Sequence, residues 1–182
     1  MNNLYLLTLH LFDLLKNNVN KLSVSSRTKA QNSSSSFEIL LNFFQENDWS
    51  FSQHETEPIL RMSYQGENGE WNCVAKTREN PDQLVVYSLY PIKVPKKKRL
   101  EIAELITKIN YGLIVGNFEM DFQDGEVRYK TYAINGENNP LNSELIGQLI
   151  FVNVMTMDKY LPALMSVLYA NIPIDQAIQQ IE

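Results

Sequence analysis

Cysteine is nearly absent from this chain: Cys73 is the only one in 182 residues. A single thiol can build neither an intrachain disulfide nor a thiolate metal cluster, so a reducing compartment is the default. Histidine is scarce as well, with His10 and His54 the two present. No His-Glu metal motif, Gly-rich phosphate loop or Gly-x-Ser-x-Gly elbow occurs. Basic excess is missing too. The formal charge of −5 argues against a general nucleic-acid binder, which needs a net basic face, although it permits a local basic patch. The apolar start, Leu4 to Leu15, falls short of the roughly 20 residues of a membrane span. It also lacks the positive n-region and small-residue cleavage site of a secretory signal. It reads either as a short helix or as a peripheral anchor or partner-binding segment.

What is present is the composition of a folded domain, 44% apolar and 20% charged. Asn17 to Ser36 is rich in Ser, Asn and Lys and has no acidic residue, as a flexible linker would. We therefore divide the chain into an arm, residues 1–34, and an α+β domain, residues 35–182.

Ser35 and Glu38 have capping-box spacing, and Phe37, Leu40, Leu41 and Phe44 then follow a helical face until Asn47-Asp48. Trp49–Phe51 is expected as a short strand. Leu60, Met62 and Tyr64, then Trp71, Cys73 and Ala75, alternate with polar neighbours at period two. Asn68-Gly69 and Asp124-Gly125 predict two-residue hairpin loops. Gln83 to Tyr90, dense in β-branched and aromatic residues, predicts a central strand. Pro95 opens a helix with a broad apolar face that ends at Gly112 or Gly116. Phe118, Met120 and Phe122, then Val127, Tyr129, Thr131 and Ala133, alternate again. Asn142 caps the next helix, with Leu141 and Ile146 as its staple. Asp158, Lys159 and Pro162 are expected to cut the charge-poor stretch Leu145 to Ile174 into two helices, whose wide apolar surface would serve a deep core or a dimer interface. Asp175 is expected to cap a closing stub, Gln176 to Ile181. These elements give an α+β fold in the order α-β-β-β(-β)-α-β-β-α-α, an antiparallel sheet of five to six strands with helices on one face.

Several stretches resemble the YbjN-like family of bacterial and cyanobacterial proteins. They are Phe43 to Trp49, Leu89-Tyr90-Pro91-Ile92-Lys93-Val94-Pro95, Arg99 to Glu104, Ile109-Asn110-Tyr111-Gly112-Leu113, Gly116-Asn117-Phe118-Glu119, Asp124 to Tyr129 and Tyr160-Leu161-Pro162-Ala163-Leu164. The resemblance covers roughly Phe37 to Glu182. It implies a fold like that of type III secretion chaperones, which commonly dimerise and bind segments of other proteins, and a role in sensory-transduction regulation. No catalytic residues are assigned to the family, so none carry over, and residues 1–34 depart from its core.

Candidate contact residues follow from alternation away from the presumed core: Arg61, Lys76, Arg78, Arg128, Lys130 and Tyr132. The run Lys96-Lys97-Lys98-Arg99 adds cations at a helix N-terminus, where they oppose the macrodipole. It is either a ligand for an acidic partner or phosphate, or a solvated turn paired with Glu101 at i+3 and i+4. The acidic hairpin of Glu119, Asp121, Asp124 and Glu126 lacks calcium-loop spacing, and cross-strand pairing of its acids with Arg128 or Lys130 accounts for them. The expectation is a non-enzymatic, chaperone-like or regulatory protein-binding module. It would be homodimeric and cytoplasmic (or stromal in a plastid-type member), with no cofactor, no metal, no nucleic acid and no integral membrane span. Its docking surface would be the exposed sheet face and edge. A peripheral membrane or complex-assembly factor using Leu4 to Leu15 is one alternative, and a small-ligand binder or enzyme of unknown chemistry is another.

Overall fold

A computed structural model describes residues 35–138 and 140–181. The expectations for Leu4 to Leu15 and for the linker before Ser35 lie outside these residues.

The first helix, α1 (Ser36–Glu46), begins as its sequence dictates. The Glu38 N–H donates to Ser35 Oγ and the Ser35 N–H donates to the Glu38 carboxylate. At its other end Asn47 Nδ2 donates to the Phe43 carbonyl at 2.7 Å. Phe43, Phe44, Trp49 and Phe51 then pack edge to face. This cluster takes Trp49 and Phe51 out of the sheet, so the expected strand there is displaced to β1 (Ser52–Gln53).

The sheet continues with β2 (Ile59–Gln65), β3 (Glu70–Arg78), β4 (Gln83–Leu89), β5 (Asn117–Met120) and β6 (Val127–Ile134). Between β4 and β5 a 3-10 turn (Lys96–Lys98) follows Pro95 and leads into α2 (Arg99–Gly112). The strands lie in the order β1-β2-β3-β4-β6-β5, every neighbouring pair antiparallel. β4 is interior, as its composition requires, and is buried on both faces at Leu84, Val85, Val86, Tyr87 and Ser88.

Both hairpin loops differ from expectation. The first is closed by a Gly66 N–H to Gly69 carbonyl bond, which makes Glu67-Asn68 the central pair, one residue earlier than Asn68-Gly69. The second has four residues. Asp121 and Glu126 pair, the Gly125 N–H donates back to the Asp121 carbonyl, and Gly125 sits at φ +84° as the left-handed last residue. Phe122 therefore falls in the loop, 53% exposed, rather than on a strand.

The largest departure is α3 (Ser143–Tyr169), a single helix that runs through Pro162. Proline has no N–H for the carbonyl four residues back, and an interior proline ordinarily breaks a helix for that reason. Here the orphaned Asp158 carbonyl accepts from Asn68 Nδ2 at 3.1 Å. The Asp158 carboxylate in turn accepts the backbone N–H groups of Glu67 and Asn68, at 3.1 and 2.9 Å. The β2–β3 loop thus supplies the donor that the helix lacks, and the loop's one-residue shift places Asn68 to do so. Gly66 permits the approach, since a Cβ there would collide with Asp158 Oδ1.

Asn142 caps α3 through the Leu145 N–H, and Leu141 and Ile146 are both buried, as the staple requires. The inner sheet face (Leu60, Cys73, Ala75, Leu84, Val86, Tyr129) and the inner faces of α1, α2 and α3 share one core. Burial pushes the Cys73 thiol up to about 11 against opposing hydrogen bonds with Ser88 and Trp71, so it stays a neutral core group. Most of the apolar surface of α3 faces the core of this domain; among its described large apolar residues Met155 and Tyr169 are exposed. The chain closes with α4 (Ile174–Gln179), which starts after Pro173 rather than at Asp175. Asp175 instead pairs with Lys108 of α2 at 2.7 Å.

Candidate functional site: the open sheet face

Because helices cover one side of the sheet, every second strand residue points the other way. The register brings those outward residues together. On β2 and β3 they are Ile59, Arg61, Ser63, Glu70, Asn72, Val74, Lys76 and Arg78. On β4, β6 and β5 they are Val85, Tyr87, Leu89, Arg128, Lys130, Tyr132, Ile134 and Glu119. All six residues selected by alternation (Arg61, Lys76, Arg78, Arg128, Lys130 and Tyr132) lie on this one face.

Val85 and Tyr87 form its centre. They stand outside the main core cluster, yet only 4% and 7% of their surfaces are exposed. Long neighbours shield Tyr87: the Lys76 ammonium lies 5.3 Å and the Arg128 guanidinium carbon 4.5 Å from the centroid of its ring. Apolar stems over an aromatic floor, with charged heads outward, are what cation–π contact and snorkelling together produce. Around this floor Tyr132 is 56% and Ile134 52% exposed. Val85 and Tyr87 were missed as site residues because their strand reads as buried throughout. The usable clue was that they fall out of step with Leu84, Val86 and Ser88.

Charge is divided unevenly across the face. At the β5–β6 end, Glu119 accepts from Arg128 Nε at 3.0 Å and from Lys130, and Glu126 lies 3.7 Å from Arg128. The cross-strand pairing anticipated for the acidic hairpin holds for Glu119, whereas Asp124 pairs with Lys93 and Asp121 accepts the Gln123 N–H. Burial works to raise the Glu119 carboxyl, but hydrogen bonds from Lys130, Arg128 and Asn117 outweigh it and hold the group below the ordinary range. At the β2–β3 end, Arg61, Lys76 and Arg78 have no carboxylate within ion-pair distance among the described residues. Burial, and then the charges of Arg78 and Arg128, lower the pKa of Lys76. Glu70, the nearby acid, accepts instead from Ser63 Oγ at 2.7 Å. An open depression of about 490 Å³, lined by Arg61, Asn72, Val74 and Leu89 among others, adjoins these cations.

The run Lys96-Lys97-Lys98-Arg99 is not part of this face. Lys98 Nζ bonds Glu101 at 2.6 Å, Asn171 Oδ1 at 2.8 Å and the Val167 carbonyl at 3.4 Å, which caps the C-terminal end of α3. Arg99 donates to the carbonyls of Val94 at 3.1 Å and Phe122 at 2.7 Å, tying the β5–β6 loop to α2. Two of the four cations are thus committed to the fold, while Lys96 and Lys97 are exposed. Of the pairs foreseen with Glu101, the recorded one is Lys98.

The sheet edge at β5 is occupied at Phe118. Phe118 presents both backbone groups outward, and the Asn110 side chain takes both: the Phe118 N–H donates to Asn110 Oδ1 at 2.8 Å, and Asn110 Nδ2 donates to the Phe118 carbonyl at 3.0 Å. One amide side chain on α2 mimics the rung that a seventh strand would have supplied. Of the face and edge foreseen as docking surfaces, the β5 edge thus has its Phe118 backbone groups already occupied. We expect Asn110→Ala to cost about 1.5 kcal/mol in urea unfolding, because both Phe118 groups would lose their partner. Among the described residues no group of three or more His, Cys, Asp and Glu is placed to hold a metal ion, and no helix is long and apolar enough to cross a membrane.

Comparison with known proteins follows the same lines. The sequence profile of the YbjN family, described as "Putative bacterial sensory transduction regulator", matches residues 36–165. No curated protein matches. Among solved structures, the chain is similar to the crystal structure of YbjN, "a putative transcription regulator from E. coli", with a TM-score of 0.54 and 12% identity, over 74% of this chain and 90% of that one. At that identity the likeness is one of fold.

Proposed function

The chain belongs to the YbjN family, and from that premise we propose that it is a non-enzymatic regulatory module that acts by docking another protein on the open face of its sheet. The observation that carries this reading is the construction of the face. An apolar floor of Val85 and Tyr87 lies beneath Lys76 and Arg128 and is flanked by exposed Tyr132 and Ile134, and Arg61, Lys76 and Arg78 beside it have no ion-pair partner among the described residues. Apolar, aromatic and Arg-rich composition is that of an interface centre rather than of ordinary solvated surface. The broad, shallow form of the face suits a segment laid across it better than a small molecule enclosed within it. The chaperone-like character implied by the family resemblance is this same property, the binding of a segment of another chain.

The test uses the full chain in its native cell, with a photo-crosslinking amino acid placed either at Tyr132 on the open face or at Thr107 on the exposed side of α2. Discrete adducts of one mass from Tyr132, absent from Thr107, are the expected result. Equal yields from both positions, or none from Tyr132, would count against a docking face.

A further inference from the structure

We infer that the occupant of this face is an acidic segment of a different protein, with carboxylates over Arg61, Lys76 and Arg78 and an apolar side chain against Tyr132 and Ile134; this rests on the docking reading above. The chain carries −5 overall. Its open face departs from that average, setting Arg61, Lys76, Arg78, Arg128 and Lys130 against Glu70, Glu119 and Glu126. The β5–β6 end is neutralised from within, by Glu119 and Glu126. At the β2–β3 end no such pair occurs among the described residues. Arg61 pairs with Val74, and Lys76, two residues along the same strand face, is its diagonal neighbour, with Arg78 next in line. Like charges so close repel one another: behind burial, the larger cause, Arg78 and Arg128 also disfavour the charge on Lys76, and Glu57 only partly offsets them. A partner's carboxylates would relieve that repulsion as well as form new pairs.

The same charges disfavour two other occupants. A second copy seated here would make an isologous contact and set these cations against themselves, so a homodimer of this chain would have to use another surface. A nucleic acid needs a long basic track to displace its counterions, and three unpaired cations on a chain of sequence pI 5.1 make a short one. A peptide with a few acids and an apolar anchor matches both the length of the row and the floor beside it.

The experiment titrates the full chain with three fluorescent probes: a short peptide repeating Glu-Leu-Asp-Ser, the same peptide with Lys replacing both acids, and a single-stranded DNA of matched charge. The acidic peptide is expected to bind about tenfold more tightly than the basic one, and to weaken severalfold between about 0.05 and 0.2 M salt. The double variant R61E/R78E, altering two exposed side chains, is expected to weaken it about tenfold. The milder R61A/R78A should weaken it less, and guards against misfolding of the first. Equal binding of both peptides, or indifference to the substitutions, would overturn the acidic occupant even where the Tyr132 crosslinks stand. Tighter binding of the DNA would overturn it in favour of nucleic acid. Binding by no probe would overturn it too, while loss of the crosslinks alone strikes the docking reading.

Discussion

Asp158→Ala is expected to lower the stability of the domain by about 3 kcal/mol, with a fall in Tm of about 6–12 °C. The carboxylate is 6% exposed and accepts two backbone N–H groups of the β2–β3 loop. Hydrogen bonds to a charged acceptor are the strong kind, and their loss strands the donors on Glu67 and Asn68. The change also loosens Asn68, whose side chain serves the carbonyl freed by Pro162. Asn68→Ala should therefore be costly by itself, but the double variant should cost less than the sum of the two, because both remove the same joint. A strictly additive result, measured by urea unfolding, would show that loop and helix are held together by something else. Pro162→Ala supplies the complementary observation. It restores the N–H within the helix, so Asn68→Ala should be tolerated far better in that background.

Gly125→Val should be more damaging still, about 4 kcal/mol, and is expected to leave the protein largely insoluble. Gly125 holds φ at +84° in the β5–β6 loop, where a β-branched residue is strained. A Cβ there would also collide with the Val94 carbonyl oxygen. That backbone cannot retreat cheaply, since the Val94 N–H donates to the Gly125 carbonyl at 2.8 Å and the Val94 carbonyl accepts from Arg99. The strain would spread from the loop into the start of α2. Normal soluble yield and an unchanged thermal midpoint would refute this account of the loop.

The two sites mark where local pattern stops being informative. Period-two alternation was enough to place Arg61, Lys76, Arg78, Arg128, Lys130 and Tyr132 on one face, because side-chain direction in a strand is fixed by parity. The capping box of α1 and the Asn142 cap of α3 were legible for a similar reason, being satisfied within three residues. Pro162 misled because its remedy lies about 90 residues away along the chain, on Asn68. Nothing near the proline announces a donor supplied from a hairpin loop. The Lys96–Arg99 run was legible in part: the Lys98–Glu101 pair is local, whereas the carbonyls that Lys98 and Arg99 reach on α3 and on the β5–β6 loop are distant in sequence. Tyr87 was readable as buried but not as the floor of a site, since the shielding by Lys76 and Arg128 is a tertiary fact.

The small contact between Asn110 and Phe118 bears on how safely this protein can accumulate. An unprotected outer strand invites identical molecules to stack, rung upon rung, into fibrils. Here one rim is sealed by a single amide, and the other ends in a strand of only two residues, Ser52 and Gln53, too short to template growth. The expected consequence is a low tendency of the described domain to associate edge to edge.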